Sequence, residues 1–302
     1  MSGLLTLRGV TADRLGQLLD AGQRHVEMIG SGASAPVTLA RRTVTIAFFE
    51  PSTRTRLSFE KAAMTLGATV LTLGQESSST VKGESFRDTI ETLTALGSDA
   101  LVVRHHLADA AELAARWSGI PVVNAGVGRR EHPTQTLIDA LTLRQHFGTL
   151  HGLRMGIVGD VRNSRVARGH LNALPTMGVE LTLIGPSTLL PDANPWGART
   201  SHSLDEELGD LDVVYLLRIQ RERGAGTGLP SEPSYHLRYG MSEERLSLLK
   251  PTSMIMHAGP MNRGVEIDDA VADGERSLIL SQVANGVPMR MAVLEDALGG
   301  RS

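Results

Sequence analysis

Short apolar runs alternate with helix-period segments along almost the whole chain, and this alternation constrains the fold more than any other feature. Val44–Phe49, Thr69–Leu73, Ala100–Val103 and Val122–Asn124 read as strands in the first half. Arg154–Gly159, Glu180–Ile184, Val213–Leu217, Ser253–His257 and Leu278–Ile279 read as strands in the second. Helical spacing over Ser52–Leu66, Ser85–Leu96 and Asp109–Trp117 separates the first four. Strands and helices in this order give parallel sheets covered on both faces, and 302 residues are enough for two of them. The expected fold is α/β, with two successive sheets and no internal sequence repeat. Pro133 suits a first helical position and Thr136–Phe147 runs on to Gly148, so a helix is expected to join the halves. Pro288–Leu298 reads as a further helix near the end.

Function is most legible in the stretch from Phe48 to Glu60, which puts two arginines where a helix disfavours them. Ser52 is the natural N-cap, and Thr53 to Arg56 fill the first turn. Free N–H groups and the positive dipole end there disfavour a cation by roughly 0.3–1 kcal/mol. A bound anion reverses that penalty, so hydroxyls, N–H groups and a guanidinium fork at one strand-to-helix turn predict a phosphate site without a glycine-rich loop. The plainer alternative has Ser52 capping a surface helix while Arg54 and Arg56 reach into solvent.

Further polar residues follow the ends of other expected strands, where ligands bind in open α/β sheets. Arg104 comes directly after Leu101-Val102-Val103, and His132-Pro133-Thr134-Gln135 opens the joining helix. Thr55, Arg104 and His132 can therefore converge on one carbonyl oxygen, while the Gln135 amide suits a neutral NH2 group. Arg104 as a surface residue and His132 as a helix cap are the alternatives. In the second half, Gly159-Asp160-Val161-Arg162-Asn163-Ser164-Arg165 and Leu217-Arg218-Ile219-Gln220 follow two strands. Arginines at two strand ends suit a dicarboxylate, because the planar guanidinium binds carboxylate through two hydrogen bonds.

Other functions are weaker fits. Met155-Gly156-Ile157-Val158-Gly159-Asp160 with Glu180 about twenty residues on echoes a dinucleotide-binding turn, but the third glycine is missing, and Arg162 and Arg165 suit an anionic substrate better. His105, His106 and Asp109 lack a cluster that would complete a metal coordination sphere, so no metal is expected. A net charge of −3 and only two Trp, three Tyr and five Phe argue against nucleic acid. No apolar run approaches the ~18–20 residues needed to cross a bilayer, and the first residues lack a basic leader with a long apolar block. No membrane association and a cytoplasmic location are expected. The absence of cysteine removes disulfides, thiolate ligands and thiol nucleophiles together. Gln75–Glu84, rich in serine, and Arg221–Pro233, rich in glycine and proline, read as long loops of the kind that form lids, with disordered surface loops as the alternative.

Ser52-Thr53-Arg54-Thr55 resembles the carbamoyl-phosphate motif of the aspartate and ornithine transcarbamoylases, and His132-Pro133-Thr134-Gln135 is similar to that family's second signature. Lys82-Gly83-Glu84 resembles its mobile loop, and the likeness covers nearly the whole chain in order. The resemblance implies two doubly wound parallel-sheet domains joined by interdomain helices. One is residues 1–133 plus 286–302, binding carbamoyl phosphate, and the other is residues 134–285, binding the acceptor. It implies transfer of a carbamoyl group to an amine in pyrimidine biosynthesis, without a cofactor or a covalent intermediate. Arg54, Thr55, Lys82, Arg104 and His132 would be catalytic. Ser52, Thr53, Arg54, Thr55, Ser78, Arg104, His132, Gln135, Gly259 and Pro260 would hold carbamoyl phosphate. Lys82, Arg165, Arg218 and Gln220 would hold L-aspartate, a choice favoured because ornithine enzymes carry a His-Cys-Leu-Pro segment where this chain has His257-Ala258-Gly259-Pro260. The family's loop reaches into a neighbouring subunit's site, which implies a homotrimer in which Ser78 and Lys82 serve another chain. Regulatory chains or dihydroorotase associate with some relatives, and a scaffolding member without catalysis is the contrasting alternative. The clearest departure is Ala258, where aspartate enzymes usually have proline.

Overall fold

The computed structural model describes residues 3–74, 83–219 and 231–299. Within them the chain divides into two units, Met1–Leu141 with Val283–Ser302 and Thr142–Gln282.

The first unit runs β1 (Gly3–Leu4), α1 (Ala12–Gly30), β2 (Thr43–Phe48), α2 (Thr53–Thr65), β3 (Thr69–Leu73), α3 (Phe86–Ala95), β4 (Ala100–His105), α4 (Ala110–Ser118), β5 (Val122–Val127) and the start of α5 (Pro133–Phe147). Its five strands are all parallel in the order β1-β5-β4-β2-β3. Strands covered on both faces must be apolar throughout rather than alternating, and β5 is buried at every position. On one face Ala47, Leu101 and Val103 pack against Ile90 and Leu93 of α3 and the alanines of α4. The helix over α12 (Gly286–Gly299) belongs to this unit, where it packs on α1, α2, β1 and β5.

The second unit continues from α5 through β6 (Arg154–Val158), α6 (Arg165–Ala173), β7 (Glu180–Ile184), β8 (Arg199–Ser201), α7 (Asp205–Leu208), β9 (Val213–Leu216), α8 (Glu232–Tyr239), α9 (Glu243–Leu246), β10 (Met254–His257), α10 (Asp269–Ala272) and most of α11 (Ile279–Ala284). Its parallel sheet has the order β10-β9-β6-β7-β8. Val158, Ile184, Val214, Leu216 and Ile255 pack with Leu208, Tyr235 and Tyr239 on one side of it.

The two sheets share a winding that no sequence likeness announced. In each, the first long strand is followed by a neighbour on one side, to which the second unit adds β8, and the chain then crosses back to add two strands on the other. The quartet β5-β4-β2-β3 thus corresponds to β10-β9-β6-β7. The strand order reverses between β2 and β4 in one unit and between β6 and β9 in the other, creating a crevice at each reversal.

Several expectations need correction. Leu278–Ile279 is not a strand: Ser277 makes an isolated bridge to Ile255, and Ile279 opens α11 because the Gln282 N–H donates to the Leu278 carbonyl. β4 extends to His105, so Arg104 lies within the strand, paired with Phe48, rather than after it. Pro233 lies in the first turn of α8, where its missing N–H is no loss. Helix α1 was not anticipated, although Thr11 caps it and Leu15, Leu18, Leu19, Gly22 and His25 form a buried stripe. The glycines inside it mask the helical propensity. Among the described residues no helix is long and apolar enough to cross a membrane.

Candidate active site

The first crevice gathers the ends of three adjacent strands. β2 leads through Glu50 to Ser52 and α2; β4 carries Arg104; β5 leads through Glu131 to His132 and α5. Ser52 stands at the N-cap of α2, but its hydroxyl makes no capping hydrogen bond, and no acidic side chain occupies the first turn. The donors of this helix start are therefore not served by the usual cap. Thr53 and Arg54 are exposed. Arg54 forms no ion pair among the described residues, and partial burial pulls its pKa below the usual arginine value. Arg56 is different: it pairs with Glu60 one turn along, at 3.8 Å. Of the two cations at this helix start, Arg54 is the one with no carboxylate partner among the described residues.

Thr55 and His132 are brought together from segments far apart in sequence. The Thr55 Oγ1 lies 3.4 Å from His132 Nε2, and both residues are about 95% buried, at 6% and 5% exposure. Arg104 donates from Nη1 to the Ala125 carbonyl at 3.1 Å, and its Nε lies 3.8 Å from the Glu50 carboxylate. The β2–β4 pairing holds Arg104 level with Phe48, and the Phe49 N–H donates to the Arg104 carbonyl. Gln135, one turn into α5, is buried and donates from Nε2 to Asp139 at 2.9 Å. This crevice thus combines an open helix start, two guanidinium groups, a hydroxyl, an imidazole and an oriented amide. Such a group can hold a phosphate and polarise a carbonyl.

The second crevice is built on the ends of β6, β9 and β10. Gly159 closes β6 with φ of +116°, and a Cβ there would come within 2.9 Å of the Tyr235 hydroxyl. Asp160 then accepts from the Asn163 backbone and side chain, and Ser164 caps α6 by accepting from the Ala167 N–H. Arg165 is the first residue of α6 and Arg218 follows β9; both are half-buried. Arg162 is engaged elsewhere. Its Nε donates to the Leu190 carbonyl and its Nη2 to Asp192 at 2.5 Å, tying down the chain after β7. Glu180 opens β7 opposite Arg154, at the amino ends of the strands. That is the wrong edge for a dinucleotide ribose contact, which lies at the carboxyl ends.

Beyond β10 lies a buried pair, His257 and Glu266. The Gly259 N–H donates to His257 Nδ1 at 2.7 Å, which places the ring proton on Nε2, 3.3 Å from Glu266 Oε1. The same Glu266 oxygen accepts from the Asn262 N–H at 2.6 Å. Gly259 and Pro260, which follow in the same turn, are joined by a cis peptide. Sequence reasoning passed over Glu50, Asp139 and Glu266. Acidic residues in otherwise apolar or glycine-rich surroundings were the available signal.

His105 is a packing residue. It sits between Phe49 and Phe86, accepts from the Leu107 N–H, and burial, aided by His106, lowers its pKa to about 4. Ser78, Lys82 and Gln220 lie outside the described residues, as do most of the two expected lid segments.

Both units of the chain resemble known proteins. Residues 3–145 match the family model described as the aspartate/ornithine carbamoyltransferase carbamoyl-P binding domain, and residues 151–296 match the Asp/Orn binding domain. An aspartate carbamoyltransferase catalytic subunit from Rhodococcus jostii is 47% identical over 99% of this chain and 98% of the relative. One from Gluconacetobacter diazotrophicus is 48% identical over 97% and 91%. Among solved structures, the Trypanosoma cruzi aspartate transcarbamoylase in complex with carbamoyl phosphate and aspartate has a TM-score of 0.90 at 30% identity, covering 98% of this chain and 97% of that one.

Proposed function

The chain belongs to the aspartate/ornithine carbamoyltransferase family, and from that premise we propose that it transfers the carbamoyl group of carbamoyl phosphate to the amine of L-aspartate. The products are N-carbamoyl-L-aspartate and phosphate, an early step in making pyrimidines. The observation that carries the mechanism is the 3.4 Å approach of Thr55 to His132, at the crevice where β4 brings Arg104 and α2 starts without a cap.

In this mechanism the phosphate of the donor lies on Ser52, Thr53, Arg54 and Thr55, with Arg104 bridging towards the carbonyl. Gln135, Gly259 and Pro260 recognise the carbamoyl NH2. Arg165, Arg218 and Gln220 hold the aspartate carboxylates, and Lys82 contacts both substrates. The unprotonated amine attacks the carbonyl carbon, a C–N bond forms, and negative charge builds on the oxygen. Donors from Thr55, Arg104 and His132 stabilise that charge, each by about 3 kcal/mol where an oxyanion-hole donor is the guide. The bond to phosphate then breaks, and the departing phosphate takes the amine proton. No side chain acts as nucleophile. Holding two polar substrates in reacting geometry can supply roughly 7–11 kcal/mol of the barrier, which suits a site rich in binding groups.

The working form in this proposal is a cytoplasmic homotrimer in which Ser78 and Lys82 complete the site of a neighbouring subunit. Support comes from the first unit, where β3 is an edge strand and Leu71 on it, like Leu57 and Met64 on α2, is exposed. An exposed edge strand is a ready place for another chain to pack.

The test is product formation from carbamoyl phosphate with L-aspartate or L-ornithine, identified by mass. Carbamoyl aspartate alone supports the proposal; carbamoyl ornithine would overturn the acceptor assignment, and no product from either would overturn the activity. Mixing inactive Arg54→Ala and Lys82→Ala chains tests the shared site, since activity returns only if one subunit completes another's.

A further inference from the structure

Behind Gln135 lies a chain of buried polar groups that carbamoyl transfer, as described, does not use. Asp139 is fully buried one turn along α5 and accepts from Gln135 Nε2. Asp139 and the Arg290 guanidinium attract each other, and Arg290 is itself 4% exposed. Arg290 Nη1 donates to the Gly286 carbonyl, its guanidinium stacks 5.0 Å over the Phe59 ring, and a Cβ at Gly286 would stand 2.9 Å from Nη1. Arg290 is thus locked between α12 and α2, the helix whose start carries Ser52 and Arg54. Burial lowers its pKa to about 9, still above neutrality, so it presents a positive charge.

A carboxylate has no proton to give, so it can only accept. An amide beside it must turn its NH2 inward, and no described residue donates to Gln135 Oε1, which remains to accept from a ligand. We propose that Asp139 is a positioning residue, which fixes the orientation of the Gln135 amide so that the site selects an acyl phosphate bearing NH2 over one bearing a methyl group. This inference rests on the carbamoyl-transfer reading of the same crevice. If the amide were free to flip, its NH2 would meet the donor's NH2, and the preference would be lost.

The experiment compares kcat/KM for carbamoyl phosphate and acetyl phosphate, with saturating L-aspartate, in the wild type and in Asp139→Asn. Acetyl phosphate differs by CH3 in place of NH2 and would give N-acetylaspartate and phosphate. The wild-type selectivity is expected to fall about 10–100-fold in Asp139→Asn, through loss of carbamoyl phosphate use while acetyl transfer is kept, because the positive charge of Arg290 draws the asparagine oxygen towards itself and turns its NH2 onto Gln135, replacing one hydrogen bond by a clash of donors. A general loss of structure would lower both rates together. The double variant Q135E/D139N restores an acceptor facing the substrate and a donor behind it, with the same number of buried carboxylates, and is expected to recover most of the selectivity. Selectivity within about twofold of wild type in Asp139→Asn, or no recovery in the double variant, overturns the proposal. If Asp139→Asn does not fold, the double variant decides alone: retained selectivity supports the proposal and lost selectivity overturns it. A wild type inactive with carbamoyl phosphate would instead defeat the reading on which this one rests.

Discussion

The two units wind their sheets in the same way yet finish their crevices differently. In the first, the helix that leaves the reversal point starts on Ser52 without a side-chain cap, and Arg54 beside it has no ion pair among the described residues. In the second, the corresponding helix α6 is capped by Ser164, Asp160 is engaged by Asn163, and Arg162 is tied to Asp192. One crevice leaves backbone N–H groups and a cation for an anion. The other closes its backbone and offers side chains, chiefly Arg165 and Arg218. The lesson is that a shared topology fixes where ligands approach, whereas capping decides whether the main chain or the side chains receive them.

The largest expected effect is at the open helix start. Arg54→Ala should lower kcat by about 10²–10³-fold, the scale of losing a donor aimed at developing charge; an enzyme with full turnover would end the phosphate assignment. Arg218→Ala acts on the other substrate. It should raise the KM for aspartate about 10–100-fold, as for loss of a charged hydrogen bond of roughly 1.5–3 kcal/mol, with the KM for carbamoyl phosphate little changed. Equal effects on both substrates would erase the division of labour between the crevices.

Two serines test the capping contrast directly. Ser164→Ala should destabilise the protein by about 0.5–2 kcal/mol in denaturant unfolding, because a working cap is lost. Ser52→Ala should change stability by less than about 0.5 kcal/mol, because no cap bond exists to lose, while weakening carbamoyl phosphate binding. The reverse pattern would show that the helix starts are equivalent. The smallest effect belongs to Arg162→Ala, for which the aspartate KM should stay within about threefold of wild type. A larger rise would return Arg162 to the substrate site from which its bonds to Leu190 and Asp192 remove it.

Most strands were legible because parallel strands buried on both faces are written as short continuous apolar runs, and β3 and β7 agree with their expected bounds. Helix α1 was hidden by its glycines, one of which, Gly22, lets Met289 and Leu141 approach closely. Such a glycine serves packing, which local propensity cannot register. Ser52, Arg54, Thr55, Arg104, His132 and Gln135 stood out because their chemistry is at odds with an ordinary helix start or strand end. Asp139, Glu266 and Arg290 did not stand out, since their partners come from contacts that no local pattern encodes.

By itself the sequence determined the alternation of strands and helices, the donor-rich helix start at Ser52–Thr55 and the two strand-end arginines, all of which depend on neighbours along the chain. Tertiary structure alone decided which strand ends lie side by side, that Thr55 meets His132, that Arg162 turns away while Arg165 and Arg218 stand at one crevice, and that Asp139 orients Gln135. Those outcomes depend on strand order and on buried polar groups finding partners far away in sequence, where an unpaired group would cost about 1–3 kcal/mol.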